Sequence, residues 1–151
     1  MRPFTLLSVL FTVAAALCSI SVPLRNCTLS SITDCAPTTS VFQIQAQGFG
    51  PDPPIVNENV TLWIQYVVPS SVTVASGTSV DSVSLNGIPV SSETSDLCAS
   101  IPCPQTAGIH NASNSFLWPS GISSGSKILY TSKWYDASQT LLLCSKLTVV
   151  V

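Results

Sequence analysis

The stretch Val60-Thr61-Leu62-Trp63-Ile64-Gln65-Tyr66-Val67-Val68 carries apolar side chains at every second position, namely Val60, Leu62, Ile64 and Tyr66. Successive side chains of a β-strand point to opposite faces of its sheet, so these four residues share one face. Branched and aromatic side chains are also enriched in strands. The stretch therefore predicts a β-strand with one face in a core.

The same two-residue period recurs along the chain on both sides of this strand. Glycine- and proline-rich turn signals separate the segments, and Asn86-Gly87 predicts a tight hairpin turn. The pattern predicts six to eight strands in an all-β fold, an immunoglobulin-like antiparallel β-sandwich of two sheets. The further strand segments are Phe42 to Gln47, with Phe42, Ile44 and Ala46 on one face, Ser82 to Leu85, Lys127 to Trp134, and Leu141 to Val151.

The N-terminus is typical of a secretory signal peptide. Met1-Arg2 precedes an apolar run from Phe4 to Leu17, and small residues follow it. We expect a signal peptide over residues 1–20, and hence a destination outside the cell or in the endolysosomal lumen. Three glycosylation sequons, at Asn26, Asn59 and Asn111, are consistent with that route.

Charged residues are scarce, with 5 Lys and Arg against 7 Asp and Glu in 151 residues. There is no basic stripe, so nucleic acid is not an expected partner. Catalytic groups are equally sparse. His110 is the single histidine, in an expected loop, no nucleophile-elbow motif occurs, and the acidic residues are dispersed. We expect no enzyme activity, no catalytic residue, no metal site and no cofactor.

Five cysteines follow the expected signal peptide. In an exported protein, Cys98 and Cys103 are spaced to close a short disulfide loop, and we expect Cys35 to pair with Cys144. Cys27 could replace Cys35 in the longer bridge, because spacing alone does not fix connectivity. If it does not, Cys27 is a free thiol or links two copies in a disulfide-bonded dimer.

Several motifs, taken in order, resemble the ML (lipid-recognition) domain family. They extend over most of the chain, so we expect an N-terminal extension over residues 21–33 and an ML-type domain over residues 34–151. The chain lacks the second cysteine pair that sterol carriers of this family have near Gly50 to Pro54, which leaves the ligand class open. The matching segments are Asp34-Cys35, Pro51 to Pro54, Asn57 to Thr61, Leu85 to Val90, Asp96 to Pro104, Pro119 to Gly125, Lys133-Trp134, Asp136 and Leu143-Cys144.

The resemblance implies a non-enzymatic protein that holds one sterol or phospholipid in an apolar cavity between two sheets, with transient membrane contact. The mobile rim would be Ile88 to Val90 and Pro119 to Ile122. Alternation alone is equally compatible with a filled core, and the alternative function is a secreted, glycosylated interaction module with a solid core. The residues that would line the cavity are Phe42, Ile64, Tyr66, Val83, Leu85, Phe116, Ile128, Tyr130 and Trp134.

Overall fold

The strands dominate the structure, a computed structural model that describes residues 29–151. Within this range there are eight strands and one four-residue helix. The elements are β1 (Leu29–Asp34), β2 (Gln43–Gly50), β3 (Asn59–Val68), β4 (Gly77–Leu85), β5 (Ile88–Asp96), α1 (Leu97–Ser100), β6 (Gly108–Leu117), β7 (Lys127–Asp136) and β8 (Leu141–Val150).

The strands form two antiparallel sheets that pack face to face. One sheet has five strands in the order β1-β8-β7-β4-β5, and the other has three in the order β2-β3-β6. The backbones of the two sheets come closest between β1 and β2. At the opposite side, the edge strands are β5 and β6. The predicted all-β, immunoglobulin-like sandwich is confirmed.

Strand β3 follows its predicted pattern closely. Val60, Leu62, Ile64 and Tyr66 are buried on its inner face, and Val68 continues the series. The alternation in sequence thus becomes an apolar surface that packs against the five-stranded sheet, as expected for a strand with one solvated face.

Strand β2 departs from the predicted pattern because of a bulge between Ile44 and Ala46. The extra residue in a bulge shifts the alternation of every side chain that follows it. The expectation that Ala46 faces inward and the glutamines outward therefore fails after Ile44. Gln47 turns inward, and its Oε1 accepts a hydrogen bond from the buried Ser145 hydroxyl at 2.8 Å.

The hairpin between β4 and β5 turns at Asn86-Gly87, as predicted. Both residues have positive φ, 52° and 84°, and Leu85 pairs with Ile88. Positive φ at both central positions is what a two-residue hairpin needs, and Asn-Gly meets it with little strain. The Asn86 side chain also accepts a hydrogen bond from the Lys127 amide, which fixes the turn against β7.

Both expected disulfides are formed. Cys35 pairs with Cys144, and Cys98 pairs with Cys103. The first links the end of β1 to β8. The second links Cys98 within α1 to Cys103 just after it, and this helix is an element that the sequence analysis did not predict. Asp96 caps this helix by accepting from the Cys98 amide at 2.9 Å.

The expected signal peptide, Asn26 and Cys27 lie outside the described residues. Residues 29–33, which we expected in an N-terminal extension, instead form most of β1 and pair with β8. This strand adds the outer edge of the five-stranded sheet. Across residues 29–151, no helix has the length and apolar character needed to span a membrane.

Candidate functional site

The interior of the sandwich is filled at one end and open at the other. At the filled end, the ring of Phe42 stacks on Tyr66 with centroids 5.3 Å apart, and Trp134 meets Tyr66 edge-on at 5.4 Å. The Tyr66 hydroxyl donates to Oε1 of the buried Gln105 at 2.8 Å. Burial raises the pKa of Tyr66 to about 12.

The open end contains a cavity of about 580 Å³ between the two sheets. This volume lies within the range of pockets that hold small organic ligands, roughly 300–1,000 Å³. Below we call it the large cavity. Its lining comes from β4, β5, β6, β7, β8 and the loop after β6: Asp81, Val83, Leu85, Val90, Ser91, Glu93, Asn114, Phe116, Leu117, Trp118, Pro119, Ser120, Gly121, Ile122, Ile128, Tyr130, Leu147 and Val149.

The walls of the large cavity are mostly apolar because the apolar positions of neighbouring strands pair with one another and face the same side. Val83 pairs with Tyr130, and Tyr130 pairs with Leu147, so these three side chains lie side by side on one face of the larger sheet. Phe116 on β6 covers them from the opposite sheet and stacks on Tyr130 with centroids 5.6 Å apart. Such a surface binds hydrocarbon by removing it from water.

The rim of the large cavity exposes large apolar side chains. Ile88, Val90 and Leu117 are 69%, 64% and 61% exposed. They lie at the β4–β5 hairpin and at the end of β6, beside the loop Pro119 to Ile122. Exposed apolar side chains that cluster around a cavity are typical of a binding or membrane-contacting surface.

A second cavity of about 300 Å³ continues along the sandwich and shares Asp81, Asn114 and Tyr130 with the large cavity. Its lining is more polar, because three buried serines, Ser79, Ser132 and Ser145, contribute to it. Its apolar lining includes Leu62, Ile64, Ile101 and Trp134.

The boundary between the two cavities is a hydrogen-bonded group. The Tyr130 hydroxyl donates to Oδ1 of Asp81 at 2.7 Å, and the Ser79 hydroxyl donates to Oδ2 at 3.3 Å. Burial is the main cause that raises the pKa of Tyr130, and the hydrogen bond to Asp81 and the negative charge of Asp81 raise it further. Hydrogen bonds with Asn114 and Ser132 lower this pKa in part. Tyr130 is therefore a protonated donor under physiological conditions.

The nine residues expected to line a cavity divide into three groups. Val83, Leu85, Phe116, Ile128 and Tyr130 line the large cavity. Ile64 and Trp134 line the second cavity, together with Tyr130. Phe42 and Tyr66 belong to the filled end of the core.

Sequence reasoning missed several lining residues. Leu147 and Val149 were assigned only to the last strand, yet their alternation with Lys146 and Thr148 is visible in the sequence. Trp118 follows β6, its backbone forms hydrogen bonds with the backbones of Asn57 and Glu58, and its side chain is buried. Asp81 was counted only among dispersed acids, since nothing local indicates that it points inward.

The single histidine lies outside the linings of both cavities. His110 is not in a loop, as the sequence suggested, but on β6, where it stacks on Tyr66 with centroids 5.7 Å apart. Its Nε2 lies 2.7 Å from the Thr106 carbonyl oxygen. Among residues 29–151, no three His, Cys, Asp or Glu side chains are grouped to hold a metal ion.

The comparison that decides the family covers nearly the whole chain. Residues 21–151 match the sequence profile of the ML domain. The chain belongs to the ML-domain family. No curated protein sequence is significantly similar to this ML-domain protein.

Solved structures share the fold of this ML-domain protein. A Niemann-Pick type C2 protein from Japanese carpenter ant superposes with a TM-score of 0.58 and 12% identity, covering 80% of this chain and 99% of that one. Chicken MD-1 in complex with lipid IVa gives 0.53 and 13%, covering 85% and 93% respectively. At this level of identity, the likeness concerns the fold.

Proposed function

We propose that this ML-domain protein is a non-enzymatic lipid carrier that holds one sterol or phospholipid between its sheets and transfers it between membranes. The large cavity, about 580 Å³ with mostly apolar walls, is the observation that carries the proposal. Chicken MD-1, which has a similar fold, was crystallised in complex with lipid IVa, and this supports a lipid as the ligand class.

The energetics of such binding are reasonable. Removing about 500 Å² of a lipid's apolar surface from water contributes about 12 kcal/mol at ~25 cal/mol/Å². Association costs of about 4–15 kcal/mol offset much of this gain, which leaves an affinity in the micromolar class. Reversible loading of that strength suits a carrier.

The exposed rim would be the surface that touches a membrane during exchange. Val90 and Leu117 line the cavity and are exposed, and the exposed Ile88 pairs with the lining residue Leu85. Exposed Ile55 and Val56 lie at the same end, because Asn57 and Glu58 hydrogen-bond with the backbone of Trp118. Apolar side chains at this end would enter the lipid interface, and the cavity would open beside them.

Export through the secretory pathway completes the proposal. Two disulfides in the described chain are consistent with an oxidising compartment. Asn59 and Asn111 are exposed, so both sequons are accessible to glycosylation. N-terminal sequencing of the protein in the culture medium tests removal of residues 1–20, and non-reducing electrophoresis tests a dimer linked through Cys27.

A vesicle assay tests the carrier function directly. Donor phosphatidylcholine vesicles would contain either a fluorescent sterol or a fluorescent phospholipid, and acceptor vesicles would contain a quencher. We expect the purified protein to accelerate transfer of at least one probe in proportion to its concentration. Transfer no faster than without protein, for both probes, would contradict the proposal.

A further inference from the structure

A line of polar side chains crosses the inner face of the five-stranded sheet. Glu93 pairs with Asp81, Asp81 with Ser132, and Ser132 with Ser145. We call these four residues the polar row. The row arises from the register of four strands, and no single segment of sequence reveals it.

The polar row divides the interior into two apolar clusters. On one side lies the cluster that contains Phe42, Tyr66 and Trp134, part of which lines the second cavity. On the other lies the cluster that lines the large cavity, including Ile128 and Leu147. The row therefore borders the space that the proposed ligand would occupy, and it changes the chemistry of one wall.

Asp81 is the central acceptor of the row. Its two oxygens accept from Tyr130 and Ser79, while a carboxylate offers about four acceptor positions. It lines both cavities, and neither lining contains a Lys or Arg among the described residues. Hydrogen-bond acceptor positions of Asp81 therefore face the cavity, and no cationic side chain of the two linings neutralises its carboxylate.

The row reaches the surface between the two edge strands. Glu93 on β5 and Asn114 on β6 both line the large cavity and are both exposed. Asp81 lies four residues from Leu85 at the hairpin, about 13 Å along the strand at roughly 3.3 Å per residue. The polar group of a bound lipid, placed at the polar row, would remain close to water, and the hydrocarbon chain of that lipid would extend toward the rim.

On these grounds, and given the proposed function, we infer that Asp81, with Glu93 and Asn114 beside it, selects lipids that present a hydrogen-bond donor. A hydroxyl or an ammonium group would donate to the Asp81 carboxylate, and the hydrocarbon would fill the large cavity. An anionic headgroup at the same place would meet two carboxylates, and like charges at short range in a partly dry site repel strongly.

Three single-chain probes of equal carbon number test this inference: tetradecanol, tetradecylamine and myristic acid. Each would displace a fluorescent hydrophobic dye from the purified, full secreted protein at pH 7.4. We expect the alcohol and the amine to displace the dye at concentrations at least tenfold lower than the acid. An amine more potent than the alcohol would identify the preferred donor as charged, and an alcohol more potent than the amine would identify it as neutral.

Charge-removing variants locate the effect. Asp81→Asn should reduce the preference for amine over acid to less than threefold, and the exposed Glu93→Gln should reduce it in the same direction. Asp136→Asn removes an equal charge at the end of β7, outside both cavity linings, and its amide oxygen can still accept from the Ser138 and Thr140 amides, so it should leave the preference unchanged. Myristic acid that competes as well as the other probes, or a preference that survives both Asp81→Asn and Glu93→Gln, would overturn the inference. Failure of the dye and all three probes to bind would instead overturn the carrier function on which it rests.

Discussion

The aromatic rings of Phe116 and Tyr130 stack across the gap between the two sheets, with centroids 5.6 Å apart and planes inclined by 17°. Phe116 belongs to the three-stranded sheet and Tyr130 to the five-stranded one. The pair joins the sheets at the large cavity, where other apolar side chains face open space. Phe116 should therefore respond to truncation differently from a residue of the filled core.

Truncation at two phenylalanines should distinguish the open and filled ends of the sandwich. Phe116→Ala loses a stacked pair worth about 0.5–1.5 kcal/mol beyond its buried area, but it borders existing space. We expect it to lower the free energy of unfolding by about 1–2 kcal/mol. Phe42→Ala, at a fully buried position, creates a new cavity and should cost about 3–5 kcal/mol. Urea unfolding of both variants measures the difference, and equal losses would contradict this description.

Stability should fall at high pH because of Tyr66, whose pKa is raised from 10.0 to about 12 by burial. Below pH 10 the phenol is protonated in both states, and its contribution is complete. Between pH 10 and 12 the unfolded chain loses the proton first, so the free energy of unfolding falls by about 1.4 kcal/mol per pH unit.

Tyr66→Phe provides the comparison for this pH dependence. This variant should lack the contribution of Tyr66 to the fall of the free energy of unfolding between pH 10 and 12. At neutral pH it should lower the free energy of unfolding by about 1–3 kcal/mol, because Gln105 loses its buried hydrogen-bond donor. Denaturant unfolding at several pH values between 9 and 12 measures both effects. The same slope in both proteins would show that Tyr66 does not titrate as described.

The two disulfides should differ in their contribution to stability. Cys35 and Cys144 are 109 residues apart, whereas Cys98 and Cys103 are 5 apart. On the chain-entropy account, closing the longer loop contributes about 5 kcal/mol and the shorter about 2 kcal/mol. We expect the double alanine variant of the long bridge to unfold at a markedly lower urea concentration than that of the short one. The reverse order would show that the short loop is itself essential to the fold.

The apolar rim should affect transfer more than binding. Ile88→Ser with Val90→Ser would remove two exposed apolar side chains beside the cavity, and we expect vesicle-to-vesicle lipid transfer to slow at least fivefold. Ile109 is a matched control, since it is 67% exposed but lies at the other end of β6. Ile109→Ser should transfer lipid at the original rate. A similar reduction in both variants would remove the rim from the mechanism.

The sequence predicted the architecture because strand alternation and turn chemistry are local. β3 and the Asn86-Gly87 turn depend on neighbouring residues only, and both were predicted correctly. The bulge in β2 was not, because the insertion of one residue against β3 depends on the partner strand. Gln47 was consequently expected to face solvent, and it instead binds Ser145.

The cavity was harder to predict than the sheets that enclose it. Phe42 and Phe116 have equivalent patterns in sequence, yet one packs in a filled core and the other borders open space. Alternation reports only which face a side chain occupies, and the distance between two sheets depends on the volumes of all facing residues. Asp81 shows the same limit, because its place in the polar row depends on the register of four strands.

Native mass spectrometry of the protein purified from the medium of its secreting cell tests the central claim most directly. The account predicts one bound lipid per chain in the original protein. It also predicts weaker retention of that lipid in Val83→Trp, which would place an indole ring in the large cavity from β4, provided that circular dichroism shows the fold retained. A protein that carries no lipid and takes up neither sterol nor phospholipid would contradict the account.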